Sequence, residues 1–182
     1  MVSKIAGYAR QPDAVTCQSA AIAKKLGLSS PADIQDVRYS LTQMGQAGDP
    51  LVMGRYLAPK VQEYHWIPDG SLAELRDWVS RGTGYEAIIH GMTTGSGHVW
   101  GVSDYADGGL GGGRFLCDDP WAEFNFPEHT YTNHTGDDVV YSALGIYAYC
   151  VVAWTENQAI QAYRAGVVDW DRRGMYLHLV RN

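Results

Sequence analysis

Cysteine is scarce in this chain: Cys17, Cys117 and Cys150 are the only three in 182 residues. An odd, low number argues against a disulfide framework, and the absence of any CxxC pair excludes a zinc knuckle or a thioredoxin motif. Long apolar runs are also missing. The longest, residues 146–154, falls well short of the roughly 18 residues a membrane span requires. Residues 1–8 contain no apolar core of a secretory signal, which with reduced cysteines fits cytoplasmic synthesis. Positive charge is the minority sign, with 14 Lys and Arg against 20 Asp and Glu and a net charge of −6. That balance argues against nucleic-acid or anionic-membrane partners, though a polycationic partner stays compatible with it. No Lys-Ser or Lys-Thr and no helix start follow the glycines of residues 106–113, so that run reads as a flexible turn and not a phosphate cradle. No internal repeat or interdomain linker is visible, and the length suits one domain over residues 1–182.

What is present is apolar enough, at 46%, to build a core. Ser30-Pro31-Ala32-Asp33 marks a helix start, with apolar Ile34, Val37, Leu41 and Met44 at helical spacing behind it. Ser71-Leu72-Ala73-Glu74 marks another, running to Gly82. Residues 45–54 read as a loop, followed by a short strand through Tyr64-His65-Trp66. Strands are then expected over residues 85–90, 98–105, 114–118, 146–154 and 174–180, with a short helix over 157–165. Helices first and an antiparallel sheet afterwards is an α+β signature.

Two of the cysteines have structural contexts. Cys150 falls in an apparent buried strand, and Cys117 in another beside two carboxylates that would hold its thiol protonated. Cys17 differs. A turn, Gln11-Pro12-Asp13-Ala14, precedes it, and helix formers follow as far as Leu26, with Gly27 as the residue that closes the helix. Cys17 therefore lies in or near a first helical turn, where the helix dipole favours thiolate. A nucleophilic thiol needs a base, an orienting group for that base and donors for an oxyanion. His98 opens a strand after Gly95-Ser96-Gly97. Asp119 ends the next strand, with Asp118 as the neighbouring alternative. The Gln11 amide and the Cys17 backbone N–H can act as oxyanion donors. His65, His90 and His178 read as structural. His129 and His134, even with Asp137 or Asp138, have poor metal spacing.

The order Gln11…Thr16-Cys17-Gln18-Ser19-Ala20, then Gly97-His98-Val99-Trp100-Gly101-Val102, then Cys117-Asp118-Asp119-Pro120-Trp121 resembles the C39-like branch of papain-fold cysteine peptidases. The resemblance covers roughly residues 8–125 and leaves 126–182 as an elaborated tail. It departs from the family at Gln18 and Ala122, where glycine is usual. It implies a papain-like α+β fold with N-terminal helices on an antiparallel sheet. It further implies Cys17 as nucleophile, His98 as general base and acid, Asp119 as orienting acid and Gln11 as oxyanion donor. Gln18 and Trp121 are expected along the substrate cleft, and no metal or organic cofactor is implied. The segment 123–142 is similar to one in some phage and bacterial C39-like wall-lytic proteins. That suggests an endolysin-like hydrolase of peptidoglycan peptides, released to or injected into the cell-wall compartment. The alternatives are a protease, deamidase or acyltransferase acting on a protein, and a non-catalytic binding module.

Overall fold

The computed structural model describes residues 8–95, 97–108 and 111–182. Three helices come first: α1 (Cys17–Lys25), α2 (Pro31–Met44) and α3 (Pro50–Leu57). Strand β1 (Glu63–Gly70), helix α4 (Leu72–Val79) and strands β2 (Tyr85–Gly91), β3 (His98–Ala106) and β4 (Arg114–Asp118) follow. Two short strands, β5 (Phe124–Asn125) and β6 (Thr130–Tyr131), form a separate ribbon. Strand β7 (Val139–Ser142), helices α5 (Ala143–Tyr147) and α6 (Glu156–Arg164), and strand β8 (Met175–Arg181) complete the chain. The main sheet has the order β1-β8-β2-β3-β4-β7, with every pairing antiparallel. The architecture is α+β.

The helix starts follow from local chemistry. Ser30 and Ser71 each accept from the backbone N–H three residues on, and Asp33 and Glu74 return the bond to the cap N–H. Residues 45–54 depart from the expected loop. Asp49 caps Leu51 N–H and Pro50 sits in the first turn, so α3 begins inside that segment. Residues 146–154 are the larger correction, because they form no strand. Ser142 accepts from Gly145 N–H and starts α5, which continues as a single wide turn over Ala148–Val152. That turn stops at Ala153, whose φ is 54°. An apolar run of this length cannot by itself distinguish a buried helix from a strand.

Two cores lie against the sheet. Helices α1–α3 bury Ile22, Ile34, Leu41, Val52 and Met53 against Ile88, Val99 and Val180. Leu75, Trp78, Leu144 and Ile146 bury Ile89, Trp100, Val102 and Leu177 on the other side. Strand alternation supplies both faces, as expected for a sheet covered on each side. Two buried ion pairs tie α1 to the sheet: Lys25 Nζ meets Glu86 of β2, and Lys24 Nζ lies 3.4 Å from Asp118 at the end of β4. Among the described residues no helix is long and apolar enough to cross a membrane.

Candidate functional site

Cys17 is the first residue of α1. The Thr16 hydroxyl donates back to the Asp13 carbonyl at 3.3 Å and does not cap the helix. The first intrahelical bond runs from Ala20 N–H to Thr16 O, so the N–H groups of Cys17, Gln18 and Ser19 precede the helical ladder. The positive end of the helix thus lies at the Cys17 thiol. At the other end Gly27 closes α1 with φ 72°, as the sequence indicates.

His98 opens β3 opposite Gly91. Its Nε2 lies 2.7 Å from Asp119 Oδ1, with both side chains buried. The Cys17 thiol also favours the charged form of this imidazole, and because Nε2 is engaged by Asp119, the nitrogen left to face the thiol is Nδ1. Burial works against charge on His98. The hydrogen bond to Asp119 and the Cys17 thiol, reinforced by their negative charge, overcome it and raise the imidazole to about 9. The ring is backed by Trp100, stacked at 5.8 Å, and met edge-on by Tyr131 at 5.8 Å.

Asp119 is held from several sides. Trp121 N–H donates to Oδ1 at 3.0 Å and the Tyr141 hydroxyl donates to Oδ2 at 3.0 Å. The same Tyr141 oxygen accepts from Phe124 N–H at 2.8 Å. The Asp119 N–H donates to Gly136 O at 2.8 Å, and Tyr8 donates to the Asp119 carbonyl at 2.7 Å. Gly136 has to be glycine here, since a Cβ would stand 2.0 Å from the Asp119 carbonyl oxygen. Residues 120–142 therefore form the mount of the carboxylate. Their importance had no local sequence signal, because Tyr141 lies 22 positions beyond the group it supports.

The neighbouring Asp118 points elsewhere. It pairs with buried Lys24 and lies near Asp137 and Asp138. That carboxylate group already receives the Lys24 ammonium, 3.4 Å from Asp118 and 3.9 Å from Asp137. His129 and His134 stand apart from it, against Tyr149 and Glu123 respectively.

A cleft of about 390 Å³ opens beside Cys17 and His98. Gln18 lines it, along Gly48, as expected. Gln11 and Trp121 do not. They border a separate depression with Arg10, Pro12 and Asp13. The Gln11 side-chain amide donates to the Asp13 carbonyl at 2.5 Å, and its backbone N–H donates to Pro120 O at 2.8 Å. Its buried Oε1 has no donor among the described residues. Two residues read as structural from sequence do line the cleft, His90 and Cys150. Cys150 gets there because its segment is helical and not a strand. Burial raises its thiol well above the ordinary range, as it does for Cys117, where Asp118 and Asp119 add to the effect. Ser96, in the expected glycine hinge, and Gly109 and Leu110, in the β3–β4 turn, lie outside the described residues.

No family model matches the chain, and no curated protein is significantly similar to it.

Proposed function

We propose that this protein is a papain-like cysteine hydrolase that cleaves amide bonds through Cys17, His98 and Asp119. One observation carries the reading: a buried imidazole bonded to a carboxylate lines one cleft with a thiol at a helix N-terminus, and that thiol helps to hold the imidazole in its charged form. A buried His–Asp pair alone is often structural. The added thiol, open on a cleft and set at the positive end of a helix, is what supports chemistry.

On this reading His98 takes the Cys17 proton, or the two rest as an ion pair, and the thiolate attacks the amide carbonyl carbon. Negative charge collects on the carbonyl oxygen, where the Cys17 N–H at the positive end of α1 stabilises it. The C–N bond breaks as His98 passes its proton to the departing amine. Water, deprotonated by the same imidazole, then hydrolyses the thioester and frees Cys17. Asp119 holds His98 in the tautomer and orientation these transfers need and stabilises the imidazolium. No metal or organic cofactor enters any step.

The substrate is either a peptidoglycan peptide or a polypeptide. Purified sacculi and an unfolded protein such as reduced casein, incubated with wild type and with Cys17→Ala and His98→Ala, separate the two by mass spectrometry of the products. New fragments from wild type alone are expected, with each alanine variant losing at least about a thousandfold in rate. Turnover retained by a folded Cys17→Ala or His98→Ala protein overturns the mechanism. Fragments from neither substrate, together with unselective alkylation of the three cysteines, favour a binding module instead.

A further inference from the structure

Cys17 and His98 apart, the described lining of the cleft carries no lysine, arginine, aspartate or glutamate. Its other polar side chains stay uncharged near neutral pH: burial holds His90 down at about 4 and raises Cys150 and Tyr149. Gly97 and Gly174 line the same space, exposing backbone without side chains. Away from Cys17 and His98, a charged residue or a charged chain terminus bound there would lose its hydration with no counter-charge to replace it.

Beyond the cleft the surface continues as aromatic rings. Tyr176, 48% exposed, lines the cleft and stands 5.8 Å from Trp66 of β1. Trp66 opens in turn onto a second, mainly apolar depression of about 260 Å³ with Leu51, Gly54 and Ala58, where Arg55 is the only charged residue among the described residues. The Tyr64 hydroxyl in that depression is already bonded to His178 Nδ1 at 2.8 Å. Sheet register explains the row. Trp66 and Ile88 both pair with His178, which puts Trp66, His178, Ile88 and, by alternation, Tyr176 and His90 on one face. Helices α1–α3 cover that face at Ile88, Val99 and Val180 and leave Tyr176 open. The rings form a notch and not a flat platform, with 39° between Trp66 and Tyr176 and 89° between Tyr176 and His90. A sugar ring stacks on a flat face and needs polar partners for its hydroxyls. An apolar side chain needs neither.

Resting on the hydrolase reading and narrowing its substrate, we infer that the cleft takes an extended, uncharged internal stretch of polypeptide. The Tyr176–Trp66 notch takes one apolar or aromatic side chain of that stretch. The protein then cuts within chains and not at a charged end, and the charged stem peptides of a cell wall fit poorly.

Binding to the Cys17→Ala protein tests this without requiring turnover. The probes are fluorescent, end-capped Gly/Ser/Ala hexapeptides carrying one Phe at each position in turn. The comparison set has the Phe replaced by Ala, or a neighbouring residue by Lys or Asp, and a muramyl pentapeptide completes the series. One Phe position is expected to bind about tenfold more tightly than its Ala counterpart. The added Tyr176→Ala change should erase that preference, read as the ratio of Phe-peptide to Ala-peptide affinity, while the melting temperature stays unchanged. Equal binding of the charged peptides or the muramyl peptide, a preference that survives both Tyr176→Ala and Trp66→Ala, or no binding of any probe overturns the inference. If wild type fails to cleave the peptide that Cys17→Ala binds selectively, the hydrolase reading fails and the binding preference stands.

Discussion

At the residue scale the site depends on how many groups hold Asp119. Tyr141 connects the carboxylate to the backbone of β5, so Tyr141→Phe removes two hydrogen bonds at once: it strips Oδ2 of its donor and leaves the Phe124 N–H without its acceptor. A hydrogen bond to a charged group contributes about 1.5–3 kcal/mol. On the proposed mechanism kcat/KM for Tyr141→Phe should therefore fall roughly ten- to a hundredfold. A purely structural role would lower the melting temperature without moving the pH profile, whereas here the alkaline limb should shift downward. That limb belongs to His98. The folded imidazole titrates at about 9, above its ordinary 6.5. Its protonated form stabilises the fold fully below about pH 6.5, and that contribution is lost as pH rises through about 9. Both kcat/KM and the melting temperature of wild type should decline through that interval, and His98→Ala should lack the stability decline.

The same reasoning has the opposite sign at His90 and His178. Their Nε2 atoms meet at 3.2 Å, and burial lowers them to about 4 and about 3. Both are neutral in the fold at neutral pH, so their contribution is complete above about pH 6.5 and is lost as pH falls toward about 4. Thermal melts from pH 7 to 4 should show a decline in melting temperature that is shallower in His90→Gln.

At the scale of elements, α1 acts as a lever between charge pairs and thiol. It carries Cys17 at one end and Lys24 and Lys25 at the other, about 10–12 Å along the axis at 1.5 Å per residue. Lys25→Met leaves Glu86 buried without its cation, which should cost about 3–5 kcal/mol in urea unfolding. Lys25→Met combined with Glu86→Leu should recover much of that stability. If the single variant unfolds at the wild-type midpoint, the pair is not the anchor described.

Elements with their own stop and start chemistry were legible in the sequence. The Ser30 and Ser71 caps, the Gly27 stop and the strands β2 to β4 all follow from residues within a few positions of the element. The Cys17, His98 and Asp119 cluster was legible for a related reason, since each sits at the first residue of an element or just past the last residue of one. Other features were not. The run 146–154 is apolar on all sides, so nothing periodic separates helix from strand, and residues 45–54 have the composition of a loop although Asp49 and Pro50 start α3 within them. Gln11 is expected at the oxyanion from its place before Cys17 and from the resemblance, whereas its amide meets the Asp13 carbonyl two residues away. Tyr141, Gly136 and Tyr176 act through partners distant in sequence, and spacing carries no record of such contacts.

At the scale of the whole molecule, the two helical layers meet the sheet at the end where β2 stops and β3 starts, and the site lies there. Cys17 belongs to the core under α1–α3, while Trp100 and Tyr131, whose rings meet that of His98, belong to the core on the opposite face. A shift of one layer against the other would separate thiol from imidazole, so the relative placement of the layers is as much a part of the site as the side chains.

Strand β8 has a consequence in time. It is the last element, yet it lies between β1 and β2 and pairs with both. A chain emerging from the ribosome presents Cys17 early, His98 and Asp119 midway, and the strand that joins β1 to the rest of the sheet only after Arg181 has been made. Until then β1 has no partner on that side and the wall containing Tyr176 does not exist. On the proposed mechanism, a chain that has not yet added β8 therefore carries Cys17 and His98 beside an unfinished cleft.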